Sequence, residues 1–382
     1  MAMTASLAAC SSATDTAPTF RRSVTEHPIT NDSIENVINQ LYDRMTPEER
    51  LAQLQCRYMS DFFDEKGNLD TLKCRELIPN GIGHIPQYAG NSTESPDSLR
   101  DMVKALQEWI ITNTPSGIPA MFHEEVLSGF CAYGSTIYPQ QIGQACSFNT
   151  DLAAEKTRQT AKVMRKLGGT LSLSPMVDVV RNPFFNRLEE SYGEDAYLSA
   201  AFGSAFVDGL QDGGLDKGVL TCSKHFLGYG GGGDAEEKEL YEEILLPHET
   251  MIRTAGSKVV MMGYHQVNDT FCTVNHELMQ GILRDYLGFD GMIVSDYGAM
   301  NEERIDRNPL NRAVAAINAG MDVEFPLIGN YSLLPEAIGK GLVSEATFER
   351  AVKRVLRMKA ATGLLDDNPT LWGEGHIQYD TP

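Results

Sequence analysis

The stretch Gly288-Phe289-Asp290-Gly291-Met292-Ile293-Val294-Ser295-Asp296-Tyr297-Gly298 runs a short, partly β-branched apolar segment into an acidic residue inside a glycine-flanked turn. Asp296 thereby stands at the end of a buried strand, where a carboxylate can serve as a nucleophile or base rather than as a solvated charge. An acidic residue in such a place also caps helices, so the assignment depends on what the other strand ends carry. They carry polar and titratable groups throughout. Glu124 and Glu125 follow Met121-Phe122-His123; Asp178, Arg181 and Arg187 follow Leu171-Ser172-Leu173-Ser174-Pro175. Lys224-His225 closes the run over 219–226, and Tyr264-His265 follows the run over 259–262. Carboxylates, cations and hydrogen-bond donors that converge without a set of metal ligands suit a pocket for a neutral, polyhydroxylated molecule such as a sugar.

Those side chains need a scaffold that brings strand ends together. From about residue 80, short β-rich runs recur at 81–85, 118–122, 169–174, 218–226, 258–265, 292–297 and 321–325. Helical periodicity fills the gaps, as over 149–167, 275–287 and 308–319, which is the order of repeated βαβ units. The fold class is therefore α/β. Length and repetition favour a TIM-like (β/α) barrel of about seven or eight strands over an open doubly wound sheet, and a barrel gathers the C-terminal strand ends on one rim. Ahead of the first run, Asp32 or Ser33 opens an amphipathic helix with Ile34, Val37, Ile38 and Leu41 on one face. Thr46-Pro47-Glu48-Glu49 then supplies an N-cap, a proline at the first helical position and a capping-box glutamate. A last helix over 344–361 turns Phe348, Val352, Val355 and Leu356 inward and stops at Gly363.

Composition narrows the partners. Of 382 residues 42% are hydrophobic, which is ordinary for a globular protein, and the formal net charge of -20 argues against nucleic acid, whose phosphates need clustered Lys and Arg. The seven cysteines Cys10, Cys56, Cys74, Cys131, Cys146, Cys222 and Cys272 show no CxxC pairs and no histidines at metal spacing, so neither a metal nor a disulfide framework is expected, and no cofactor is implied. Residues 228–233 formally match G-x-G-x-x-G, but Asp234, Glu236 and Glu237 directly behind them would repel a pyrophosphate; the segment reads as a mobile rim loop. His123-Glu124 lacks the second histidine of a zinc protease helix, and no serine sits in a G-x-S-x-G elbow. No run of 18 apolar residues is present. Leu7-Ala8-Ala9-Cys10, followed by a Ser/Thr-rich stretch, resembles the cleavage box of bacterial lipoproteins, with Cys10 as the lipidated residue; a basic n-region and a full apolar segment are missing ahead of it. On this reading residues 1–30 are leader and tether, 31–365 the barrel, and 366–382 a linker. The location would be periplasmic or secreted, with membrane contact only through the lipid.

Five ordered stretches resemble the family 3 glycoside hydrolases, over nearly all of residues 35–365. They are Gly117-Ile118-Pro119-Ala120-Met121-Phe122-His123-Glu124-Glu125, Ser174-Pro175-Met176-Val177-Asp178-Val179, Arg187-Leu188-Glu189-Glu190-Ser191-Tyr192-Gly193-Glu194-Asp195, Lys224-His225-Phe226-Leu227-Gly228-Tyr229, and 288–297. The resemblance implies a retaining mechanism with Asp296 as nucleophile. It also implies Arg187, Lys224 and His225 as ligands of the glycone hydroxyls and Tyr264 as a wall beside the nucleophile. A retaining enzyme needs an ionised carboxylate to attack the anomeric carbon and a protonated carboxyl about 5–5.5 Å away to protonate the leaving oxygen. A cation such as Lys224 or Arg187 keeps the attacking group ionised. Glu189 and Glu190 read as helix-start carboxylates paired with nearby arginines.

Within the family, His123-Glu124-Glu125-Val126-Leu127-Ser128-Gly129 is similar to the bacterial β-xylosidase branch. Glu125 falls where many β-glucosidases carry an Asp that binds the sugar's outer hydroxyls, and the longer side chain enters the space of a hexose hydroxymethyl group. Tyr297, where many glucosidases carry Trp, leans the same way. The substrate implied is a xylo-oligosaccharide or aryl glycoside, with β-glucosidase as the alternative. Leu227 and Tyr229 replace the Pro and second His of the single-domain β-N-acetylglucosaminidases, which sets that branch aside. In two-domain members the acid/base Glu comes from a second α/β domain, absent from residues 1–382, so a C-terminal domain or partner chain is expected to supply it. A sugar-binding barrel without turnover is the alternative of another class.

Overall fold

The computed structural model describes residues 31–326, 329–366, 371–375 and 377; Cys10 and the leader lie outside the described residues. Its strands are β1 (His84–Pro86), β2 (Met121–Glu124), β3 (Gly169–Ser172), β4 (Cys222–Phe226), β5 (Val259–Met262), a short hairpin of β6 (Gln266–Val267) and β7 (Thr270–Phe271), and β8 (Met292–Ser295). The hairpin apart, all pair in parallel, in the orders β1-β2-β3 and β4-β5-β8. A parallel bridge from Leu171 to Leu220 joins the two triplets, and bridges Cys56 to His84 and Val294 to Val323 extend them at either end. Chain order and spatial order thus coincide over eight parallel positions. Phe325 brings the last position back to the first ones, stacking on His123 at 4.4 Å and meeting His84 edge-on at 5.1 Å. This is the expected (β/α) barrel, and the strand position absent from the sequence reading is the one at Cys56.

Every residue of β1, β2, β3, β4, β5 and β8 is buried, as barrel strands covered by helices must be. Each fully buried Val, Ile, Leu or Met there contributes about 1.5–3 kcal/mol relative to exposure. The surrounding helices start at side-chain caps that the sequence announces. Asn149, Asp195, Asn308 and Ser344 accept backbone N–H groups at the starts of Thr150–Lys166, Ala196–Leu210, Pro309–Ala319 and Glu345–Ala361. Thr46 and Glu49 form a complete capping box.

The first helix, Asp32–Arg44, departs from the expected stripe. Asn31 is its cap, and Val37 is 45% exposed while Ile38 and Tyr42 are buried. The helix is turned so that Ile38 and Tyr42 enter the core, which carries Val37 outward and brings Glu35 to 2.6 Å from Arg357 of the last helix. Within the segment read as a linker, Leu371 and Ile377 are buried, Gly373 N–H donates to Lys166 O at 2.8 Å, and Ile377 N–H donates to Asp97 Oδ1 at 2.8 Å. These residues lie against the barrel's helices, since apolar side chains are present to be covered.

The glycine-rich run is packed, in contrast to the mobile loop expected. A Cβ on Gly230 would stand 2.5 Å from Val179 O, one on Gly232 would stand 2.3 Å from Ile244 Cδ1, and one on Gly233 would stand 2.5 Å from Gln266 O. The glycines are there for close backbone approach rather than for phosphate binding.

Candidate active site

Asp296 follows the last residue of β8, and its backbone N–H donates to Met262 O at 3.1 Å, so the register of β5 against β8 fixes where the carboxyl emerges. Its Oδ1 accepts the Tyr297 N–H at 2.6 Å. Its Oδ2 faces His225 Nε2 at 3.2 Å. Burial alone would raise the Asp296 pKa; the adjacent ring and charge of His225, the charge of Lys224 and the Tyr297 N–H outweigh it and hold the carboxyl below its ordinary value.

His225 lies in β4, one residue after Lys224. Its Nδ1 is 2.8 Å from Asp178 Oδ2, and its backbone N–H donates to the same oxygen at 3.1 Å. Burial works against a charged imidazole, yet Asp178 and Asp296 together raise the ring above the usual histidine value. Asp178 is itself buried and is lowered by His225 despite that burial. Tyr229 packs against the ring with centroids 4.9 Å apart.

Two ion pairs flank this line. Lys224 Nζ donates to Glu125 Oε1 at 2.6 Å, and Ser174 Oγ donates to Glu125 Oε2 at 3.1 Å. Arg187 grips Glu190 with two bonds, Nε to Oε1 at 2.9 Å and Nη2 to Oε2 at 2.6 Å, while Nη1 reaches 3.1 Å from His225 Nε2. Tyr264, 39% exposed, donates its O–H to Tyr297 O at 2.9 Å and so stands against the loop that bears Asp296. A cavity of about 360 Å³ opens outward from Glu125 and Glu190 past Leu127, Ile137 and Gln140.

The structure thus brings Asp296, Glu125, Arg187, Lys224, His225 and Tyr264 into one cluster of contacts at the strand ends. Glu190 pairs with an arginine as expected; Glu189 is exposed. Asp234, Glu236 and Glu237 are exposed on the segment after the glycines. Sequence reasoning named Asp178 within a matching stretch without a role, and gave Tyr229 none. Glu124 was likewise named at a strand end without a role: its carboxylate accepts the N–H groups of Ala89, Gly90 and Glu125 at 3.0, 2.8 and 2.9 Å, while burial pushes it up to about 7. A buried acid at the end of a strand was the available signal. Among the described residues no group of three or more His, Cys, Asp or Glu side chains is placed to hold a metal ion.

A (β/α) barrel with a carboxylate, an imidazole and two cations on its C-terminal rim has the arrangement of a sugar-processing domain. Residues 46–358 match the model of the glycosyl hydrolase family 3 N terminal domain, and the chain belongs to that family. It is 31% identical over 360 residues to a putative β-xylosidase of Formosa agariphila, covering 88% of this chain and 47% of that protein. It is 30% identical over 355 residues to a periplasmic β-glucosidase of Salmonella typhimurium, covering 89% and 44%. Among solved structures, a β-glucosidase from Erythrobacter marinus superposes with a TM-score of 0.81 at 29% identity, covering 88% of this chain and 46% of that one. The chain spans about half the length of the curated relatives it matches.

Proposed function

We propose that this barrel carries the nucleophile and the glycone pocket of a retaining, exo-acting β-glycosidase, with Asp296 forming the covalent glycosyl-enzyme and a terminal pentose as the released sugar. A β-D-xylosidase acting on xylo-oligosaccharides fits best. The observation that carries the reading is the state of Asp296: lowered in pKa, one oxygen pinned by Tyr297 N–H and the other turned to His225. In the first step Oδ2 attacks the anomeric carbon as the leaving oxygen takes a proton; in the second, water attacks the same carbon and the Asp296 carboxylate departs. Arg187 and Lys224 offer donors to the glycone hydroxyls and Glu125 offers an acceptor, while His225, expected as a further ligand, has its ring nitrogens engaged by Asp178, Arg187 and Asp296 and acts on the nucleophile instead. Tyr264 walls the nucleophile.

Glu125, Glu190 and Asp178, the other carboxyls in the cluster, are each already paired with Lys224, Arg187 or His225. Glu124, though pushed up to about 7, is buried with its oxygens bound to the N–H groups of Ala89, Gly90 and Glu125, and we assign the proton donor, as the family resemblance implies, to a further domain or a partner chain. A β-glucosidase is the second reading, since the Salmonella typhimurium and Erythrobacter marinus relatives bear that name. A barrel that binds sugar without turnover is the alternative outcome of the test.

Incubation with 2-deoxy-2-fluoro-β-D-xylosyl fluoride should trap an adduct on Asp296, because a fluoride leaving group needs little acid assistance. A label on another residue, with Asp296→Asn still labelled, would overturn the assignment. Secretion with a lipid at Cys10 is the accompanying reading of the Leu7-Ala8-Ala9-Cys10 box. Mass spectrometry of the protein from its native host should find a diacylglyceryl group on Cys10; an unlipidated form retaining Met1 speaks against it.

A further inference from the structure

His225 is met at both ring nitrogens, and the partners on its two sides differ in kind. An ionised carboxylate only accepts hydrogen bonds, so Nδ1 carries a hydrogen whenever it sits 2.8 Å from Asp178 Oδ2. Nε2 lies 3.1 Å from Arg187 Nη1 and 3.2 Å from Asp296 Oδ2. A guanidinium only donates and a carboxylate only accepts. Nε2 therefore serves one of them at a time: it accepts from Arg187 in the neutral ring and donates to Asp296 in the imidazolium. The ring is fully buried and Asp178 nearly so, which removes bulk water as a competing partner. Asp178 Oδ2 takes both the ring N–H and the backbone N–H of His225, while Oδ1 has no hydrogen-bond partner among the described residues.

We infer that Asp178 is a positioning residue for the nucleophile: by holding two N–H groups of His225 on one oxygen it fixes the ring's rotation and tautomer, so that Nε2 is kept within 3.2 Å of Asp296 Oδ2, an oxygen that has no aligned hydrogen bond in this structure and gains one when Nε2 is protonated and turned to it. The inference rests on Asp296 being the nucleophile and adds which of its oxygens attacks. Oδ1 is engaged by the Tyr297 N–H, and Oδ2 is the oxygen that His225 Nε2 approaches, with Tyr264 beside the same carboxylate. A proton on Nε2 keeps that oxygen ionised and oriented; without it, Nε2 turns to Arg187 and Asp296 loses its aligning partner.

The groups that face His225 set when the switch occurs. Asp178 and Asp296 favour the charged ring, while burial opposes it. Arg187 presents its charge at Nε2, Lys224 precedes the histidine in the chain, and Tyr229 lays its ring alongside. Glu190 stands behind Arg187, and the imidazoles of His248 and His265 are close enough to interact with the ring.

The test follows the rate of covalent labelling by 2-deoxy-2-fluoro-β-D-xylosyl fluoride against pH, for the full chain and for Asp178→Asn, together with ¹⁵N spectra of the His225 ring. Asparagine keeps the shape and an acceptor but not the charge. The maximal labelling rate should fall roughly 10- to 100-fold, the scale on which the outer-shell partner of a metal-bound histidine acts, with little change in the half-saturating concentration. The alkaline limb of the profile should move to lower pH, and ¹⁵N shifts should show the imidazolium lost at lower pH than in the unmodified chain. Wild-type labelling with an unmoved limb would overturn the inference. So would a neutral His225 protonated at Nε2 and bare at Nδ1 in the unmodified chain, a result that holds even if Asp178→Asn does not fold. Absence of any label on Asp296 in the unmodified chain would instead strike the nucleophile reading, and the ¹⁵N tautomer would still decide the role of Asp178.

Discussion

Lys224 Nζ sits 2.6 Å from Glu125 Oε1, and the pair is lopsided: the lysine side chain is 2% exposed and the glutamate's 30%. The lysine is a buried residue of β4, and the glutamate directly follows β2 as the more exposed partner. With Ser174 Oγ on its other oxygen, the Glu125 carboxylate is held from two sides at the mouth of the outward cavity. On the proposed function, a carboxylate fixed this way would discriminate between sugars by reach.

Aryl β-xyloside should accordingly be used better than aryl β-glucoside, and Glu125→Asp should narrow that gap by about 1–3 kcal/mol, the usual scale for one group filling or vacating a pocket. Comparison of kcat/KM, or of labelling rates for the two 2-fluoro sugars, measures it. Equal or better use of the glucoside by the unmodified chain refutes the pentose assignment.

If the acid comes from outside the described residues, the chain should favour substrates whose leaving group needs no proton. Natural xylo-oligosaccharides should lag behind activated aryl glycosides by an additional factor on the order of 10²–10⁴, the usual contribution of general acid catalysis, with partial rescue of the aryl substrates by azide or formate. Alanine at Asp234, Glu236 or Glu237 should change little. Efficient cleavage of oligosaccharides, abolished by one of those alanines, would place the acid on the segment after the glycines.

Acid sensitivity should come in part from buried neutral histidines. Burial pushes His123 down to about 3, so between that value and the ordinary histidine range only the unfolded chain takes up the proton, and stability falls as pH drops. At pH 5 this amounts to about 2 kcal/mol for His123 alone. His84 and His248 are lowered by burial too and act in the same direction. Urea unfolding at pH 7 and pH 5 should show His123→Phe losing about 2 kcal/mol less than the unmodified chain across that interval. Equal losses would remove His123 from the account.

Gly230→Ala should destabilise the fold by about 1–3 kcal/mol, because the new methyl would meet a backbone carbonyl that cannot step aside. Thermal unfolding reads it directly. A neutral effect would mean that the segment yields.

Much of this was legible along the chain because it is local. Asn149, Asn308 and Ser344 announce helices within a few residues of themselves, and seven of the eight strand positions carry apolar runs long enough to recognise. The position at Cys56 makes only a single bridge to His84 directly after a helical segment, so no alternating pattern forms there. Arg187 and Glu190 are three residues apart and their pairing could be anticipated. The partnership of Asp178 with His225 spans 47 residues, and that of Tyr264 with Tyr297 spans 33; neither leaves a trace in spacing, because the barrel rather than the sequence makes them neighbours. Val37 differs for the same reason: the helix's rotation is set by the distant core that takes up Ile38 and Tyr42, with Arg357 of the last helix meeting Glu35 beside it.

His84, His123 and Phe325 are 0% exposed and pack ring on ring inside the barrel, with Tyr297 edge-on above two of them. The vessel has a plug for a floor. On the proposed function, and among the described residues, a sugar, the water that would release it and the freed monosaccharide would share the rim side of the barrel, so a product that lingers would block the next substrate, and free pentose should act as a competitive inhibitor.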